Sequence, residues 1–364
     1  MAIIVTLVPA GQAPPPGYQL LVRIQCRQQL PQPLSADLAS ASGATLADTA
    51  TEHDHFVLPL PAIASDDYDE LWLVPTQDQN LLDAQEQAID QLGVVHTRRY
   101  GDFQLCWLWF YPQSQSNASS HQEFAQQAYE HYQQAYEQVL HSLEDSPYPH
   151  LQKIWHYLPA INSGAGDREN YRLFCQGREL ALRQRAQVIP QLPAATAIGI
   201  PDAQSPALFY WLSTRTPGLN IENPRQMHAW KYPRQYGPSR PNFSRGTLSP
   251  AVGQFLISGT ASVVGHETIH PHDTAGQIQE MLLNLDSLLD SAREQQNQVP
   301  NSKSLPTYRS LTGAMRLYLR QPDQASAVRQ RCAELGLPLQ QLKFCHGDIC
   351  RDDLMIEMDG FQSF

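Results

Sequence analysis

Ala128, Tyr132, Ala135, Tyr136, Val139 and Leu143 recur at the three- and four-residue spacing of one helical face, with Phe124 at its start. The apolar runs before this stretch are short and strand-like, so a long amphipathic helix has to pack among strands. Ser120 and Glu123 stand in the S-x-x-E relation of a capping box, and Pro147 and Pro149 mark the far end. Upstream, strands are expected at 3–7, 19–24, 70–74 and 104–110, interrupted by a polar stretch over 35–52. Downstream, helices are expected at 170–186, at 324–335, and from an Asp273 cap through 293, the last burying Ile278, Met281, Leu282, Leu285 and Leu288. Strands at 195–199, 209–212 and 255–264 lie between them. No internal repeat shows at any period. This order gives an α+β fold with a smaller N-terminal domain, residues 1–145, and a larger C-terminal one, residues 146–364.

The bulk numbers narrow the function. A length of 364 residues with 42% hydrophobic and 17% charged side chains is that of a globular chain with a substantial core. A net charge of −11 argues against nucleic acid as the main partner, which needs a basic footprint. No apolar run approaches the roughly 18–20 residues of a membrane-spanning helix, and the start lacks a basic leader. Six cysteines without a CxxC spacing are expected to be free thiols in a reducing compartment, with the cytoplasm as the default.

The C-terminal strand carries the first sign of chemistry. Leu354, Ile356 and Met358 alternate with Met355, Glu357 and Asp359. Carboxylates two apart on a strand share a face at about 7 Å. Lining a pocket, they would hold one of the pair protonated near neutral pH, and so available as a proton donor. The plain alternative is a solvated acidic face.

Three other segments bear on the site. His266-Glu267-Thr268-Ile269-His270 fits the H-E-x-x-H zinc-peptidase pattern. That chemistry needs a helix to bring both imidazoles to one metal, whereas the flanking residues and Pro271 indicate a strand end and loop. The proline-broken run over 222–245 sets Arg225, Arg234, Arg240 and Arg245 among Tyr232 and Tyr236, which suits either a receptor for a carboxylate-bearing ring or a solvated loop. Arg172 and Arg178 do not share a helical face well, so at most one is expected in a given pocket. Glycine-rich phosphate loops are absent, and no metal or nucleotide cofactor is required.

Together these segments resemble the chorismatases, which split chorismate into pyruvate and a ring acid. The resemblance rests on Ile154 to Asn162, Tyr171-Arg172 with Gly177-Arg178, Asn223 to Gln226, Tyr232 to Pro238, Phe243 to Arg245, Ile257 to His266, and Asp348 to Glu357. It runs in one order over residues 150 to 360. It implies a fusion of Rid/YjgF-type (chorismate-mutase-like) α+β subdomains, a small-molecule substrate, no cofactor and a monomer. Glu357 would protonate the enol-ether methylene, with Asp359 standing where the family usually shows glutamate. Cys350, seven residues before Glu357, and the small Ala261 resemble the branch that forms 3-hydroxybenzoate through an internal epoxide-like intermediate. Tyr232 matches a pocket tyrosine, and Arg172, Arg178 and Arg245 are candidates for the two substrate carboxylates. The rival readings are hydrolysis to a dihydroxycyclohexadiene acid or mixed 3- and 4-hydroxybenzoate, a zinc peptidase, and a non-catalytic binder of small anions.

Overall fold

A computed structural model describes residues 3–27, 55–61, 63, 68–75, 83–89, 92–112, 121–185, 191–296 and 304–364, and in it one strand order occurs three times. The first copy comprises β1 (Ile4–Pro9), β2 (Tyr18–Arg27), β3 (His55–Pro61) and β4 (Tyr68–Pro75), side by side as β1-β4-β2-β3. Its β2 and β3 are parallel and its other neighbours antiparallel.

The second copy opens with an edge strand β5 (Asp83–Ile89) and the hairpin β6 (Gly93–Tyr100) and β7 (Phe103–Phe110). It continues through α1 (His121–His141), β8 (His150–Pro159), α2 (Asn170–Gln184), β9 (Ala194–Ile200) and β10 (Ala207–Thr214). The third runs through β11 (Leu219–Ile221), β12 (Gly246–Ser249), β13 (Gln254–Ala261), the small hairpin β14 (Val263–Val264) and β15 (Glu267–Thr268), and α3 (Thr274–Gln296). It then passes through β16 (Met315–Leu319), α4 (Ala325–Glu334), β17 (Leu342–His346), β18 (Asp348–Ile349) and β19 (Ile356–Ser363). In both, the last strand slots between the hairpin and a parallel pair, as β6-β7-β10-β8-β9 and β12-β13-β19-β16-β17. The parallel pairs β8/β9 and β16/β17 need crossovers, which α2 and α4 supply.

The two helix-bearing copies are the paired α+β units expected of the chain, and a helix-free copy, among its described residues, joins them. The division expected at residue 145 does not hold. β7 pairs with β10 and the core beneath α1 and α2 is common to both, so residues on either side of 145 share one sheet. The topological break falls after β10 instead. Asp273 does cap α3, accepting from the Gly276 amide at 3.1 Å. The capping box at Ser120 and the polar stretch over 35–52 lie outside the described residues.

Three sheets enclose one interior. Val5, Leu21 and Trp72 of the first, Trp107, Trp155 and Tyr210 of the second, and Leu256, Tyr318 and Phe361 of the third belong to one buried cluster. Helices α1 and α2 cover the outer face of the second sheet, and α3 and α4 that of the third. No described helix is long and apolar enough to cross a membrane.

Candidate active site

After β17 the chain leaves the third sheet, and β18 pairs with the free edge of β9 in the second. Returning into β19, it crosses the seam between the two sheets, and a cavity of about 370 Å³ opens there. Glu357, Cys350, Tyr232, Arg245, Arg172, Arg178 and Ala261 all line it.

Strand alternation sets the acid. Ile356 and Met358 point into the cluster beneath α3, leaving Glu357 and Asp359 on the opposite face of β19, both buried. The neighbouring strand β13 pairs Ala261 with the acid and bulges between Ile257 and Thr260, which brings Gly259 against its carboxyl. A Cβ at Gly259 would collide with Glu357 Oε1, so glycine there leaves room for the carboxyl where it stands.

The two carboxyls lie in opposite electrostatic settings. Asp359 accepts from Trp155 Nε1 at 2.7 Å, Thr196 Oγ1 at 2.8 Å, Lys153 Nζ at 3.0 Å and Tyr318 OH at 3.1 Å. Burial alone would push its pKa up, but the charges of Lys153 and Arg316 with these hydrogen bonds hold it below the ordinary range. Glu357 is pushed up to about 8, first by burial and then by the Asp359 charge, with Arg245 and Lys153 opposing. Asp359 keeps the charge and Glu357 keeps the proton.

Cationic and aromatic groups face the acid. Arg245, buried on the approach to β12, donates to Tyr232 OH at 2.9 Å and to the Met227 carbonyl at 2.8 Å, and lies over the Phe243 ring at 5.0 Å. Its Nε has no hydrogen-bond partner among the described residues. Arg178 of α2 is 2% exposed, packs over Phe174 at 4.7 Å and likewise leaves Nε without a partner among them. Arg172, partly exposed, is tied to Glu169 at 2.9 Å. The expectation that only one of Arg172 and Arg178 reaches a given pocket is wrong. The cavity extends from the buried floor beside α2 to its exposed rim, so two long side chains on different faces both reach it.

The irregular run 222–245 is the cavity wall rather than a solvated loop, although its arginines diverge. Arg234 is exposed and bonded to Asp167, and Arg225 binds Asn284 and Glu280, so Arg245 is the one that lines the cavity. Cys350 follows β18 directly. Its thiol is pushed up to about 12 by burial and then by the neighbouring Glu357, so it stands protonated.

His266 to His270 forms the β14/β15 hairpin and a turn with His270 at φ 57°, not a helix. Among the described residues no group of three or more His, Cys, Asp or Glu side chains could hold a metal.

Several lining residues escape a reading of local pattern. Arg351 donates to the His266 carbonyl at 2.9 Å and lies over Tyr236 at 4.1 Å at the mouth. Thr196 and Gln226 also line the cavity. Lys153, which fixes Asp359, carried a usable signal: a lysine beside the apolar run Ile154-Trp155, if buried with it, needs an acid as partner.

The sequence profile of the family described as "Chorismatase FkbO/Hyg5-like, N-terminal" matches residues 81–213, which is the extent of the second copy. A 3-hydroxybenzoate synthase of Streptomyces hygroscopicus is 35% identical over 234 residues, 62% of this chain and 67% of that protein. A chorismatase of Streptomyces rapamycinicus is 35% identical over 219 residues, 58% of this chain and 64% of its own length. The matched stretches thus span about two thirds of these relatives. A crystal structure of a chorismatase superposes with a TM-score of 0.76 over 100% of this chain and 98% of that one, at 22% identity, and shows the same fold.

Proposed function

Because the chain belongs to the chorismatase family, we propose that it converts chorismate to 3-hydroxybenzoate and pyruvate. The observation that carries this reading is a buried carboxyl, Glu357, kept as the neutral acid at neutral pH beside cavity-facing arginines. Chorismate is a dianion whose enol ether is inert until its methylene carbon is protonated. A carboxylic acid does this, and a carboxylate does not.

In the proposed reaction Arg245 with Tyr232, and Arg178 or Arg172, hold the two carboxylates. Glu357 delivers its proton to the methylene carbon, which becomes the methyl group of pyruvate. The ether carbon becomes an oxocarbenium ion, and cleavage of the bond to the ring returns the electron pair to the ether oxygen as the pyruvate carbonyl. In the favoured branch the ring hydroxyl gives up its proton as its oxygen closes on the vacated carbon. The epoxide-like intermediate opens to 3-hydroxybenzoate as the oxygen takes a proton back and the carbon that keeps it loses its hydrogen. The proton lost as the ring aromatises balances the one Glu357 gave. Cys350, a protonated thiol, fills space beside the acid and keeps water from the cation, while Ala261 leaves room for the ring. The substrate reaches the protein alone, as a small molecule, and one chain that builds a whole interior from three sheets works as a monomer. Free cysteines among the described residues fit a reducing compartment such as the cytoplasm.

Incubation with chorismate, followed by chromatography of the aromatic products, tests the branch. The wild type is expected to yield 3-hydroxybenzoate. Cys350→Ala is expected to keep releasing pyruvate while part of the ring product shifts to the water-derived dihydroxydiene or to 4-hydroxybenzoate. An unchanged product profile in Cys350→Ala would remove that role from the thiol. A wild type that forms only the diene would move the chain to the hydrolytic branch.

A further inference from the structure

At the floor of the cavity lies a polar pair: His156, which the proposed reaction leaves unused, and Arg178, which is free for another group when Arg172 holds the second carboxylate. His156 of β8 is fully buried and lines the cavity with Arg178. Its Nδ1 stands 2.9 Å from the Thr196 carbonyl, which can only accept, so the hydrogen is on Nδ1. Nε2 is then a bare acceptor, and it has no hydrogen-bond partner among the described residues. Arg178 Nε, a donor, has none among them either. The remaining walls of this corner are aromatic: Tyr136 stacks on the imidazole at 5.8 Å, and Phe174 and Phe209 lie at 4.8 Å. An orphaned acceptor buried among such rings is costly unless a ligand supplies a hydrogen.

We propose that this floor binds the hydroxyl group of the substrate, with His156 Nε2 accepting its hydrogen and Arg178 donating to its oxygen. The inference rests on the chorismate reading for the identity of the hydroxyl. With both carboxylates ionised, chorismate has one hydrogen-bond donor, its ring hydroxyl. The lining also carries the carboxylates of Glu169, Asp352 and Asp353 and the amides of Gln226 and Gln235, all at least partly exposed. His156 Nε2, by contrast, is an acceptor at the buried floor without a partner among the described residues, and so suits the ring hydroxyl. Burial and the neighbouring Arg178 charge hold the imidazole neutral, which preserves Nε2 as an acceptor. With its hydrogen held by His156, the hydroxyl oxygen has a lone pair free to turn toward the ring carbon from which pyruvate departs.

Binding measured by calorimetry tests this in a Glu357→Gln background, which prevents turnover. The ligands are chorismate and its analogue with hydrogen in place of the ring hydroxyl. With His156 intact, chorismate is expected to bind about five- to a hundred-fold more tightly than the analogue. In His156→Gln the amide oxygen takes over as acceptor, and most of that preference should remain. In His156→Phe, which keeps the ring packing, the preference should fall below about threefold while the analogue binds as before. A preference that persists in His156→Phe, or equal binding of both ligands with His156 present, would overturn the assignment and leave a water-binding corner. Either result leaves the reaction itself standing if the wild type makes 3-hydroxybenzoate. Failure of the wild type to consume chorismate would remove both.

Discussion

Glu357 and Asp359 differ by one methylene group and sit two residues apart, yet the fold gives them opposite charge states. Asp359 has four hydrogen-bond donors, whereas among the described residues no hydrogen bond comparably stabilises the ionised form of Glu357. The acid form of Glu357 is lost as pH rises through about 8, so pyruvate release should hold at neutral pH and fall on an alkaline limb centred near that value. Stability follows the same sign. The folded protein binds the Glu357 proton more tightly than the unfolded chain does, so this contribution is present in acid and is lost as pH climbs toward about 8. A pH–rate profile of pyruvate formation checks the first statement, and a flat profile up to pH 9 would count against Glu357 as the donor.

At the scale of single elements, β19 shows what alternation can and cannot reveal. The order of apolar and acidic residues places Glu357 and Asp359 on one face, and the fold keeps that placement. That the face is buried depends on β13 and β8, which lie far away in the chain, and no local pattern reports it. For the same reason the long helices α1 and α3 were legible from their apolar stripes, whereas β8, β12, β16 and β17 were not legible as strands. Those strands set polar or charged residues such as Lys153, Thr247, Arg316 and Lys343 within short buried runs, so neither a continuous apolar run nor a clean alternation marks them. The irregular run 222–245 was legible only as an array of cations and rings, because its shape is imposed by the cavity it walls. The charge pattern of β19 leads to a further prediction. Asp359→Asn removes the charge that adds to burial in raising the Glu357 pKa and leaves Arg245 and Lys153 to oppose burial alone, so the alkaline limb should move below pH 8. The profile is read relative to its own maximum, which removes any loss of folded protein from the comparison. An unmoved limb would mean that burial alone sets the acid.

For the whole molecule, the three sheets are joined by buried charges as well as by apolar packing. Arg316 of the third sheet makes a two-pronged bond to Glu70 of the first, at 2.7 and 2.6 Å, and Lys153 of the second bonds Asp359 of the third at 3.0 Å. Trp72 Nε1 also donates to Glu70 at 2.7 Å, and the hydroxyls of Tyr157 and Tyr318 meet at 3.0 Å between the two ion pairs. The repeat is invisible in the sequence because each copy preserves strand order rather than residues, and the polar links lie between copies. Removing one partner leaves a buried charge without its counter-ion. Glu70→Gln should therefore lower stability by about 3–5 kcal/mol, seen as a depressed calorimetric Tm. A loss under about 1 kcal/mol would mean that the network adds little to holding the sheets together.

The central claim is that a buried, protonated Glu357 opens the enol ether of chorismate. The most direct test incubates wild-type protein and Glu357→Gln with chorismate and quantifies pyruvate and 3-hydroxybenzoate in the same samples. Equal amounts of the two products are expected from the wild type, and a loss of about a hundred-fold or more in Glu357→Gln, whose amide fills the same space without an acidic proton. Pyruvate release by Glu357→Gln at the wild-type rate would contradict the claim.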